Sequence, residues 1–108
     1  MAEAQQRVHE ALKRATATLD CPTALMTLAR HKACTAFKAR WLAQGRRLSE
    51  LTLADIRAGA EAYLAEHPAL FEQVAETIER RPKLRKLAER EARERRAKLS
   101  SDAQRPVR

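Results

Sequence analysis

The stretch "LTLADIRAGAEAYLAEHPALFEQVAETIERRP", residues 51–82, decides the fold. Thr52 is placed to cap a helix and Asp55 follows three residues on, an acidic form of the capping box set where a helix dipole is positive. Behind them Leu53, Ile56, Ala60, Tyr63 and Leu64 recur on one helical face. "EHP" closes that helix, because a residue preceding proline is pushed out of α geometry, and Pro68 can then begin another with Phe71, Val74, Ala75 and Ile78 inward. "RRP" punctuates again at Pro82. The pattern predicts a helical hairpin, with a further helix running from Pro82 to about Leu99.

Upstream, Val8, Leu12, Ala15 and Leu19 sit at spacings of four, three and four, which predicts a first helix over residues 4–19 with one apolar stripe. "DCPT" supplies a turn, with Asp20 or Thr23 as candidate N-cap and Pro22 in the first turn. A second helix should span about 23–44. Its apolar residues, Leu25, Leu28, Ala29, Ala33, Ala36, Phe37 and Trp41, spread over more than half the wheel, as in a central helix packed on several sides. Gly45 is suited to ending it in the left-handed conformation.

The whole composition agrees. Ala, Leu, Glu, Lys, Gln and Arg dominate, Gly occurs twice, and Val and Ile are scarce, which leaves little for pleated strands. The 108 residues are one domain's worth of chain. The expected fold is all-α with about five helices: four in a small bundle over residues 1–80 and a fifth, a protruding or loosely packed basic C-terminal helix, over 81–99, followed by a disordered tail, "SSDAQRPVR", over 100–108.

Two cysteines do not make a disulfide framework, "MAEAQQRVHE" has no apolar signal core, and no run approaches a membrane span, so we expect a cytoplasmic protein. No metal or other cofactor is expected. His31 and Cys34 form one close donor pair where zinc sites use two, and Cys34 reads better as a core filler. No glycine-rich phosphate loop or nucleophile elbow occurs, and the few serines do not assemble with a base, so we expect no enzymatic activity.

Charge carries the functional reading. Residues 1–20 hold three basic and three acidic groups, 21–49 hold six basic and no acid, 50–79 hold seven acids against Arg57, and 80–108 hold twelve basic residues against four acids. The middle blocks should lie together and compensate, leaving the C-terminal excess free for a partner. Within it Lys83, Lys86, Arg90 and Arg93 follow at spacings of three, four and three, lining one helical face opposite Leu84, Leu87, Ala88 and Leu99. Such a row can track phosphates and release their counterions. Against it stand three pairs at i and i+4, Glu89 with Arg93, Glu91 with Arg95 and Glu94 with Lys98, which would support a merely solvated helix.

The sequence therefore points to a small accessory or regulatory protein that contacts DNA or RNA through phosphate, with Arg80, Arg81, Lys83, Lys86, Arg90 and Arg93 as the binding residues and the earlier helices as a scaffold or homodimerisation unit. The alternative is a protein-interaction module, an adaptor or inhibitor, docking by its basic helix or acidic hairpin through an apolar patch around Tyr63, Leu64, Leu70 and Phe71. Residues 28–45, "LARHKACTAFKARWLAQG", resemble a helix-turn-helix in outline, but continuous helical periodicity accounts for them better.

Overall fold

A computed structural model describes residues 2–104, and these form five helices. They are α1 (Ala2–Thr18), α2 (Pro22–Ala43), α3 (Leu53–Glu66), α4 (Leu70–Arg80) and α5 (Pro82–Gln104), with a short 3-10 turn at Leu48–Glu50 between α2 and α3. Residues 28–43 lie within the uninterrupted α2, so the helix-turn-helix outline has no turn in it. Of the tail expected to be disordered, residues 100–104 instead continue α5, and residues 105–108 lie outside the described residues.

Local chemistry sets most of the boundaries. Thr52 Oγ1 accepts from the Asp55 N–H at 3.1 Å while Asp55 Oδ2 accepts from the Thr52 N–H at 3.1 Å, so both halves of the capping box at α3 are made. Gly45 follows the end of α2 at φ +75°, where a side chain would be strained. Pro68 does not begin α4: it occupies the first central position of a turn that His67 C=O and Leu70 N–H close at 3.1 Å, and the helix starts at Leu70. Arg81, extended ahead of Pro82, is the single residue between α4 and α5.

The core is one cluster. Leu25, Leu64, Phe71, Val74 and Ile78 are its largest fully buried side chains, with Leu70 beside them, and Ala11, Ala15, Ala29, Ala33 and Ala60 are among the small ones that let backbones approach. Central α2 packs on all four other helices. The inward set expected for α4 is buried throughout, whereas Leu53 on α3 is 76% exposed and Ile56 is half-buried. Cys21 is the buried cysteine and Cys34 is half-buried.

Helix α5 joins this core only along its first half. Ala88 is buried and Leu84 packs beside it, but Leu87 and Leu99, expected on the same stripe, are 57% and 65% exposed. Residues 93–99 are all exposed. The radius of gyration is 16.8 Å, against about 13 Å for a compact domain of this length, because a helix of 23 residues reaches about 35 Å and outruns the bundle it starts on.

Candidate nucleic-acid interface

Each cation named from the sequence lies where a polyanion can reach it. Arg80 ends α4, Arg81 is the link, and Lys83, Lys86, Arg90 and Arg93 are exposed along α5. The last four share one outward face with Leu87 and Glu89. Arg90 is not wholly free, since its Nε lies 3.2 Å from Glu94 Oε1, with both side chains about seven-tenths exposed. An exposed pair of this kind is worth about 0.2–1 kcal/mol, little enough for a phosphate to displace.

Helix α5 keeps its position through two residues that the sequence pattern assigned elsewhere. Glu91 does not pair with Arg95. Its Oε2 accepts from the Thr23 N–H at 2.9 Å and its Oε1 from the Ala24 N–H at 3.0 Å, while Arg95 Nε donates to Asp20 Oδ1 at 3.0 Å. The reason lies in α2. Cys21 occupies the N-cap position without a side-chain hydrogen bond and Pro22 has no N–H, so the amides of Thr23 and Ala24 need an acceptor from outside the helix, and a carboxylate also meets the positive dipole end. Neither Asp20 nor Thr23 provides the cap. Glu94 likewise takes Arg90 in place of Lys98, and Glu89 with Arg93 is not among the ion pairs of the described residues.

Beneath this clamp Cys21 is fully buried. Burial, with the nearby charges of Glu91 and Asp20 adding to it, pushes its thiol up to about 11. It stays protonated at neutral pH. His31 is exposed, Cys34 is half-buried one turn on, and no three His, Cys, Asp or Glu side chains gather as metal donors among the described residues.

The basic and acidic blocks do lie side by side, through α2 against α3 and α4. Among the described residues one ion pair joins them, Arg40 Nη1 to Glu66 Oε2 at 3.5 Å. Arg30, Lys32, Lys38, Arg46 and Arg47 are exposed and form no ion pair among these residues. Compensation is thus a matter of proximity more than pairing. The apolar patch expected for a docking module is closed, with Leu64, Leu70 and Phe71 buried and Tyr63 half-buried against His67.

A second constellation escaped the sequence reading, which had set Phe37 and Trp41 in the core. Both are half-buried at the C-terminal end of α2, and they share a groove with Arg40, Arg46, Tyr63 and Glu66. The Arg46 guanidinium lies 3.5 Å from the centre of the Trp41 ring, and the Arg40 guanidinium 4.9 Å from that of Tyr63. Aromatic residues interleaved with arginine at helical spacing, "FKARW" at 37–41, were the available signal. No helix of the described residues is long and apolar enough to cross a membrane. No protein-family model matches the chain, and no curated protein or solved structure matches it either.

Proposed function

We propose that this protein binds DNA or RNA through the phosphate backbone, using the outward face of α5, and acts as an accessory or regulatory factor and not as an enzyme. One observation carries the reading. Lys83, Lys86, Arg90 and Arg93 stand exposed on a helix whose other edge is fastened by Ala88, Glu91 and Arg95, so the cations are held in register instead of trailing on a free tail. Arg80 and Arg81 continue the charge to the α4 end. Phosphate contact needs only density of positive charge, which this row of cations supplies.

The test is the salt dependence of binding, followed by fluorescence anisotropy of a labelled random-sequence duplex and of a single-stranded RNA. Replacing Lys86, Arg90 and Arg93 together by Gln should reduce the slope of log K against log salt by roughly three, at about 0.9 per duplex phosphate contact. An unchanged slope and affinity would discard the assignment.

A further inference from the structure

The groove between the C-terminal half of α2 and α3 takes a planar ligand better than it takes a backbone alone. Its volume is about 310 Å³, at the low end of the roughly 300–1,000 Å³ of small-molecule sites. Phe37 and Trp41 stand with ring centres 6.2 Å apart, tilted by 43°, and Tyr63 faces His67 at 4.3 Å. Trp41 is held in place by its own indole, whose Nε1–H donates to Arg47 C=O at 2.7 Å. That bond ties the ring to the loop carrying Arg46 and Arg47, and the central carbon of the Arg46 guanidinium lies over the indole, 3.5 Å from its centre. Arg46 thus covers one face of the indole, and its exposed guanidinium plane, with exposed Arg47 alongside, is the surface on which a base can stack.

We infer that this groove holds an unpaired base of a single-stranded nucleic acid, with Arg46 and Arg47 meeting the adjoining phosphate. The partner class rests on the phosphate-binding reading of α5; the location and the preference for single strands are new. Charge complementarity supports the occupant, since residues 21–49 contain no acid and the one carboxylate at the groove, Glu66, is engaged by Arg40 at 3.5 Å. An unpaired base suits the groove better than a duplex, because paired bases bury their faces against one another while an unpaired base can stack on an indole or a guanidinium plane. The groove is also remote from the α5 clamp. Trp41 lies 18 residues along α2 from Thr23, where Glu91 of α5 docks, or about 27 Å by helical rise.

Trp41 is the sole tryptophan, so its fluorescence reports on the groove directly. Titration of the full chain with a short single-stranded RNA, a DNA strand of equal length and a duplex of equal length should give saturable quenching by single strands and little by the duplex. Arg46→Ala, at an exposed position, should retain the helical circular dichroism and weaken the quenching affinity several-fold. Trp41→Ala should lower single-strand affinity about tenfold or more by anisotropy. Quenching that is absent, or equal with the duplex, overturns the inference, and if salt-sensitive binding persists in that case the α5 reading still stands. The converse is separable too: single-strand quenching retained when the Lys86, Arg90 and Arg93 replacements leave the salt slope unchanged would sink the α5 assignment and keep the groove.

Discussion

Glu91 of α5 caps α2, its carboxylate accepting from the backbone N–H of Thr23 at 2.9 Å across 68 residues of chain. The same carboxylate takes the Ala24 N–H at 3.0 Å, and Arg95 one turn further on reaches Asp20. A helix terminus that its own sequence leaves uncapped thereby becomes the docking point for the basic helix.

Removing the carboxylate should therefore loosen both helices at once. Glu91→Ala is expected to cost about 1–2 kcal/mol, in the range of a lost N-cap, because two amides lose their acceptor. Urea denaturation gives the stability, and amide exchange at Thr23 and Ala24 locates the effect. Unaltered exchange at those two amides would show that Glu91 is not the cap in solution.

Glu94 holds Arg90 and adds a negative charge beside the basic row. Glu94→Gln should strengthen nucleic-acid binding by about two- to fivefold at low salt, the equivalent of an exposed ion pair, with the gain fading as salt rises. Weaker binding in the variant would mean that the pair positions Arg90 for its partner.

Gly59 is the point where α3 admits the Phe37 ring. A β-carbon there would overlap that ring. Gly59→Ala should consequently displace Phe37 and lower stability, about 1–3 kcal/mol of overpacking outweighing the roughly 1 kcal/mol that alanine adds to helix propensity. In a Phe37→Ala background the sign should reverse, with Gly59→Ala raising stability by about 1 kcal/mol. The four proteins form a double-mutant cycle read by thermal denaturation, and the absence of coupling would remove the contact from the account.

The buried thiol makes stability depend on pH on the alkaline side. Unfolded Cys21 loses its proton near 9.0, whereas the folded thiol keeps it to about 11. Between those values the native state binds more protons than the unfolded one, so stability falls as pH rises, and a Cys21→Ala comparison isolates that slope from other losses. On the acid side Asp55 acts in the opposite sense. The hydrogen bond from the Thr52 N–H, and after it the one with the Thr52 side chain, hold its carboxyl below the usual value, so its contribution is present near neutrality and is lost as pH falls through that lowered value. Asp55→Asn should flatten the acid limb, and a profile identical to that of the parent would refute the assignment.

The features legible in advance are those whose causes are local. Thr52 with Asp55, Gly45 after α2, the break at "EHP" and the inward set Phe71, Val74, Ala75 and Ile78 each depend on neighbours within about one or two helical turns, and periodicity reads such neighbours directly. The exposed cations of α5 follow in the same way, because a narrow apolar stripe leaves the remaining faces to water. Glu91, Arg95, Leu87 and Phe37 behave otherwise. An i, i+4 spacing makes Glu91 and Arg95 partners in an isolated helix, and only the approach of α2, with two unsatisfied amides and a dipole end at its Pro22 terminus, offers the carboxylate a better bond. The half-exposed aromatic groove needs Gly59 of α3 beside Phe37 of α2, a contact across 22 residues of chain, and no one-dimensional spacing encodes it. Elements thus followed from short-range periodicity and capping, whereas the site's anchoring and the second groove were decided by which helix ends and faces the fold brought within hydrogen-bonding and van der Waals reach.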